Sequence, residues 1–228
     1  MRAAIYFTPP ADAPLTHLAA AWLGRDAFAP AAAPAPLRAP EPWLAPLVAE
    51  PARYGFHATM KAPFRLADGM SADALDAALA DFCAERAAPT IRSLALRRIS
   101  GFFALVPDQA EPELDALAAQ TVRRFEPFRA SLSPAEFARR KPESLSERQR
   151  AHLAEWGYPY VFEAFRFHMT LTGRVPDEAA PAVEAVLLAR FEPVLGRPLP
   201  VDGLALFRED APGAPFTVQS RHPLRIEL

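Results

Sequence analysis

Two short stretches, Phe56-His57-Ala58-Thr59-Met60 and Phe167-His168-Met169-Thr170-Leu171, repeat one pattern 111 residues apart. In an extended strand, side chains at i and i+2 share a face, so the His and Thr of each copy point one way and the flanking apolar residues the other. Continued by two residues in each direction, one outward face is Gly55, His57, Thr59 and Lys61, and the other is Arg166, His168, Thr170 and Thr172. Each face offers a proton-transfer group, a hydroxyl and a cation. That set suits a phosphodiester, whose non-bridging oxygens accept from hydroxyls and cations while imidazoles serve the attacking and departing oxygens.

Hydrolysis of a cyclic phosphodiester needs a base to take a proton from water and an acid to give one to the leaving alkoxide. Imidazoles titrate at about 6.5 when unperturbed, so His57 and His168 can divide these tasks near neutral pH. Which one is the base stays open at this point. Thr59 and Thr170 are expected to donate to the phosphoryl oxygens, and Lys61 and Arg166 to contact the phosphate. Tyr54 is a further candidate through its hydroxyl, although strict alternation puts it on the packing face. No metal or other cofactor is expected, because His-x-Thr supplies one good ligand per strand and neither HExxH nor His-x-His accompanies it. A nucleophile elbow of the Gly-x-Ser-x-Gly type is missing too, and Cys83 falls on the apolar side of a predicted helix as a core residue. His17, His152 and His222 have no matching partners and read as surface or packing residues, with His152 within reach of a ligand.

The elements that must position these groups follow from periodicity. Ala3 to Phe7 reads as a strand, followed by a helix through Leu15, Leu18, Ala19, Trp22 and Leu23. Tyr54 to Ala62 reads as the first motif strand, closed by Pro63. Ser71 caps a predicted helix with Leu75, Ala78, Leu79, Phe82 and Cys83 on one stripe. Strands from Ile91 to Ile99 and Phe102 to Val106 turn at Ser100-Gly101, and Leu114 to Phe125 marks another helix. The order then returns: a motif strand at about 160 to 175, a helix with Val183, Val186, Leu187 and Phe191 that tolerates Pro181 only in its first turn, and strands near 201 to 207 and 216 to 220. Leu94-Ala95-Leu96 matches Leu204-Ala205-Leu206 at nearly the same offset as the motifs. One domain of 1–228 is expected, with duplicated units at about 54–110 and 165–222 related by a pseudo-two-fold axis that brings the motifs together. Residues 131–158 have no counterpart and read as a helical insert, most simply a solvated helix pair and alternatively a lid.

Half of the 228 residues are hydrophobic and the formal charge is −2, which fits a folded domain and argues against a long polyanion as partner. Proline is abundant, 26 in all, and seven of these crowd into residues 30 to 51, where Ala-Pro alternation reads as a meandering surface loop. Cys83 is the single cysteine, so no intramolecular disulfide can form. The apolar run from Ala3 to Phe7 is too short for a signal peptide or a membrane span, so a cytoplasmic location without membrane association is expected.

Paired His-x-Thr motifs, each preceded by an aromatic residue in a duplicated unit, resemble the two-histidine (2H) phosphoesterase superfamily. The resemblance implies an α+β, bilobal fold with two pseudo-two-fold-related lobes, antiparallel sheets flanked by helices, and a central cleft. It also implies metal-independent opening of cyclic phosphodiesters, with His57 and His168 as the acid–base pair and Thr59 and Thr170 binding phosphate. The stretch Tyr54-Gly55-Phe56-His57-Ala58-Thr59-Met60-Lys61, and that from Arg140-Lys141-Pro142 through Tyr158 to Leu171, are similar to a bacterial branch encoded with phosphonate-degradation (C–P lyase) genes. That likeness implies a small phosphorylated substrate, such as a cyclic phosphate of sugar or nucleotide type. An RNA terminus is the alternative partner. Two other functions use the same residues: a non-catalytic module binding a phosphorylated ligand or RNA end, and RNA 2′-5′ ligation or its reverse.

Overall fold

The computed structural model describes residues 1–29 and 42–226. Along the chain run β1 (Arg2–Phe7), α1 (Pro14–Leu23), α2 (Ala45–Tyr54), β2 (Ala58–Phe64), α3 (Ala72–Ala84), β3 (Thr90–Ile91), β4 (Leu94–Ile99) and β5 (Phe102–Pro107). Then follow α4 (Pro112–Arg124), α5 (Pro134–Arg139), α6 (Glu147–Trp156), β6 (Met169–Thr170), α7 (Ala180–Phe191), β7 (Leu199–Pro200), β8 (Gly203–Glu209) and β9 (Thr217–Pro223). Local chemistry explains several boundaries. The Ser71 hydroxyl accepts from the Ala74 N–H and starts α3, while Ser133 and Ser146 form capping boxes with Glu136 and Gln149 for α5 and α6. Ser100 and Gly101 both take positive φ, 49° and 92°, the conformation a tight turn between β4 and β5 requires.

Seven strands make one antiparallel sheet in the order β4-β5-β6-β2-β1-β8-β9, and helices flank it, so the architecture is the mixed α+β type that the sequence predicts. The order reveals an exchange. The hairpin β4–β5 from the first half of the chain pairs with the second motif strand, β6, whereas β8–β9 from the second half joins β1 beside the first motif strand, β2. Helix α3, which follows β2, packs on β8 and β9. Each side of the sheet thus combines a motif strand from one half with a hairpin from the other. The sides meet where Ala58 pairs with Met169. The main apolar layer joins Ile5, Phe7, Met60, Phe103, Met169 and Leu187, with Cys83 fully buried in it as expected.

Several element boundaries differ from those predicted, and the strand expected from Ile91 to Ile99 is split into β3, which pairs with β7 apart from the main sheet, and β4. The proline-rich stretch is not all loop: its 30–41 portion lies outside the described residues, but Ala45–Tyr54 is helical, with a proline in its first turn and Pro51 inside it. Tyr54 consequently ends a helix instead of starting the motif strand. Gly55 makes the break at φ 76°, and β2 begins at Ala58 and continues through Pro63 to Phe64. Because β6 spans only two residues, β2 beyond Ala58 is an edge on that side, where proline is tolerated. The second motif strand is likewise far shorter than 160–175, since Phe162–Ala164 forms a 3₁₀ turn.

Candidate active site

The Ala58–Met169 pairing has a direct consequence for the side chains. Antiparallel register sets His57 opposite Thr170 and Thr59 opposite His168, and residues opposed across a ladder share a face. All four side chains line one cleft of about 470 Å³, together with Tyr6, Tyr54, Phe102, Arg140, Tyr158 and Arg174. Each imidazole is anchored in the same manner. His57 Nδ1 lies 2.8 Å from the Gly55 carbonyl, and His168 Nδ1 lies 2.7 Å from the Arg166 carbonyl. A carbonyl accepts only, so both Nδ1 atoms carry hydrogen and both Nε2 atoms are left for proton transfer. Thr59 Oγ1 stands 3.4 Å from His57 Nε2. Gly55 serves this anchor: a Cβ there would fall 2.5 Å from the Ala27 Cβ, and its φ is one that side chains disfavour.

The two histidines differ in surroundings. Tyr6 on β1 sits beside Thr59, whereas the corresponding place on β5, beside Thr170, is held by Ala104. The Tyr6 ring stacks on His57 with centroids 3.8 Å apart, while among the described residues His168 has only the tilted Phe102 ring, at 5.7 Å. Burial accordingly lowers the His57 pKa to about 4, against the raising effect of its hydrogen bond to the Gly55 carbonyl and with a further lowering from the His168 charge. The His168 pKa is also lowered by burial, opposed by its bond to the Arg166 carbonyl. At neutral pH the unliganded site presents neutral imidazoles.

Lys61 and Arg166, read as cations of the histidine face, occupy other positions. The β1–β2 register shifts between Tyr6–Thr59 and Ile5–Lys61, so strict alternation fails there. Buried Lys61 aims its ammonium at α4 and the turn after it, 3.1 Å from the Val122 carbonyl and 2.7 Å from Glu126 Oε2. Arg166 is exposed and does not line the histidine cleft; it lines an adjoining cleft, beside Phe162 to Phe165, that also touches Thr59 and His168. Tyr54 does reach the histidine cleft, from the end of α2: its ring stacks on Phe216 and stands 6.1 Å from His57. His17 is exposed, His222 bonds Asp76 at 2.7 Å, and His152 is buried against Phe162 and lines neither of these clefts.

Tyr6, Arg140, Tyr158 and Arg174 are not among the residues that the sequence singles out for the site. Tyr6 belongs to a strand that reads only as core. Arg140, just after α5, and Tyr158, just after α6, come from the 131–158 insert, which therefore walls the cleft instead of standing apart as a solvated helix pair. Arg140 covers the Tyr158 ring at 5.3 Å, and neither Arg140 nor Arg174 has a carboxylate partner among the described residues. Among the described residues no group of three or more His, Cys, Asp or Glu is arranged as a metal site, and no helix is long and apolar enough to cross a membrane.

Residues 59–217 match the family described as "Protein of unknown function (DUF1045)". The chain is 38% identical over 232 residues to "Ribose 1,5-bisphosphate phosphokinase PhnN" of Janthinobacterium sp. (strain Marseille), covering 97% of this chain and 50% of that protein. It is 39% identical over 219 residues to the protein of the same name from Laribacter hongkongensis (strain HLHK9), with 95% and 50% covered. The chain thus spans about half the length of these curated relatives. Among solved structures it is similar to TT0787 of Thermus thermophilus, at TM-score 0.49 and 19% identity over all of both chains. It is also similar to E. coli LigT complexed with NADP+, at TM-score 0.44 and 18% identity over 98% and 96% of the two chains.

Proposed function

The chain belongs to the DUF1045 family, and from that premise and the geometry of its cleft we propose that it is a metal-independent cyclic phosphodiesterase of the two-histidine kind. The observation that carries this reading is the matched anchoring of His57 and His168, each Nδ1 held by the carbonyl two residues back and each Nε2 left to the cleft. His57, the more enclosed and the one held neutral down to about pH 4, is assigned as general base. Its Nε2 takes a proton from water as the water oxygen bonds to phosphorus. The ring P–O bond on the opposite side breaks, and His168 Nε2, in its protonated form, donates to the departing alkoxide. Thr59 and Thr170 donate to the non-bridging oxygens, whose negative charge in turn favours the charged form of His168. The product is a phosphomonoester, and solvent exchange resets both imidazoles.

A small sugar phosphate is the favoured substrate class. The relatives' name concerns ribose 1,5-bisphosphate, and water attack on a ribose 1,2-cyclic phosphate bearing a 5-phosphate, with departure of O2, yields that bisphosphate. The phosphokinase activity in the name is not carried over. The two lysines of this chain, Lys61 and Lys141, follow Met and Arg, so no Gly-Lys-Ser/Thr phosphate loop is present. The test is a panel of 2′,3′-cyclic nucleotides and ribose cyclic phosphates assayed with a chelator. Turnover that persists supports the proposal. Activity lost on chelation, or tight binding without turnover that survives His168→Ala, overturns it in favour of a metal enzyme or a binding module respectively.

A further inference from the structure

Next to the histidine cleft lies a second cavity of about 530 Å³, which shares Arg2, Tyr54, Ala62, Pro63, Arg140 and Tyr158 with it. Its wall is strongly cationic, and the pairing of its charges is unequal. Arg2 and Arg53 share the single carboxylate of Glu209, and Lys61 and Arg129 share that of Glu126. Arg65 is paired one to one with Glu136. Arg139 and Arg140, at the end of α5, also line the cavity and have no carboxylate partner among the described residues. The cavity therefore carries a net positive charge that the protein itself leaves unneutralised.

The frame around that charge is built, not loose. The Arg129 guanidinium is held by Glu126 and by the Ala130 and Glu155 carbonyls. It lies over Gly157, where a Cβ would come within 2.8 Å of it. Arg65 is fixed between Glu136 and the Ser131 carbonyl. Anchored cations surround a space in which two guanidinium groups without a carboxylate partner among the described residues, Arg140 lying over the Tyr158 ring, can close on a doubly charged anion, the geometry in which arginine binds phosphate best. Along β2 the distance from Thr59, at the histidines, to Ala62, shared by both cavities, is three residues, about 10 Å. One sugar with a phosphorus group at each end covers such a span.

We propose that this cavity is a second-phosphate subsite, and that the substrate is a compact cyclic phosphodiester carrying a separate terminal phosphomonoester, with Arg139 and Arg140 as the ligands that close on it. The proposal rests on the cyclic phosphodiesterase reading and extends it. A compact bisphosphate is favoured over an RNA end because the cations surround one cavity, in a chain of formal charge −2, where an oligonucleotide needs an extended basic track.

The experiment compares kcat/KM for ribose 1,2-cyclic phosphate with and without a 5-phosphate, in the wild type and in Arg139→Gln/Arg140→Gln. The wild type is expected to prefer the 5-phosphorylated compound by about 10–100-fold, the value of one or two charge-assisted contacts, and the variant to lose most of that preference. A wild-type ratio near one, a ratio unchanged in the variant, or faster turnover of an oligonucleotide ending in a 2′,3′-cyclic phosphate overturns it. Calorimetry on His57→Ala/His168→Ala separates the subsite from the chemistry. Ribose 1,5-bisphosphate should bind this protein at least about 10-fold more tightly than ribose 1-phosphate even if no cyclic compound is turned over, and equal affinities refute the subsite.

Discussion

Ala58 and Met169 face each other across the pair that joins the two sides of the sheet, so His57 and His168 lie diagonally across a local two-fold axis, each beside the other motif's threonine. Two proton-transfer groups placed symmetrically about a phosphorus atom act as a unit. His57→Ala and His168→Ala are each expected to lower kcat by about 10²–10⁴, and the double variant to be little worse than the more damaged single one. Steady-state kinetics on a cyclic phosphate checks this; strictly multiplicative losses would show that the imidazoles act in separate steps.

The unequal enclosure of the imidazoles sets the pH profile. In the free enzyme the productive form has His57 neutral and His168 charged, which requires a pH above the His57 value of about 4 and below the lowered value of His168. The profile of kcat/KM should be a bell with its maximum on the acid side of about 6.5. Tyr6→Ala admits water to His57, relieves the burial that disfavours its charged form, and should move the acid limb upward. An acid limb that stays in place would remove Tyr6 from this role.

The same depression couples protonation to folding. Unfolded His57 takes up a proton near 6.5 but folded His57 only near 4, so between these values the unfolded state binds more protons and stability falls as the pH falls. His57→Gln should flatten this part of the dependence of Tm on pH. Parallel curves for the two proteins would contradict the depressed value.

Thr59 and Thr170 line the cleft with the two histidines, where the proposed reaction places the phosphate. Replacing either with valine keeps the shape and removes a donor to a charged oxygen, about 1.5–3 kcal/mol, so kcat/KM should fall by about 10–100-fold. The measurement is the same cyclic-phosphate assay, with unchanged Tm as the control for folding.

Lys61 should declare itself through stability. Its buried ammonium ties β2 to the Val122 carbonyl and Glu126, so Lys61→Met is expected to cost about 1.5–3 kcal/mol, read as a lower midpoint in urea unfolding. An unchanged midpoint would mean that the pair contributes nothing to the fold.

Much of the site was legible along the chain because its signal is local. His-x-Thr on an extended segment places imidazole and hydroxyl on one face wherever the strand goes, and the helix stripes at Leu75 to Cys83 and Leu114 to Phe125 need only the 3.6-residue period. Repetition of the motif with the following elements named the two halves that must converge.

What the sequence determined by itself was therefore the pair of motifs, the four groups they present and the α+β class. The partners of those groups came from contacts between distant residues, which no local period encodes. A one-residue shift in the β1–β2 register sent Lys61 to Glu126, while β1 put Tyr6 over His57 and the exchanged β4–β5 hairpin put Ala104 beside Thr170. Folding of the 131–158 insert brought Arg140 and Tyr158 to the cleft and set unneutralised cations beside it. Chemistry at i and i+2 is fixed by the geometry of one strand; charge balance and burial are properties of the whole packed chain, and the proposed choice of base and of a second phosphate subsite rests on them.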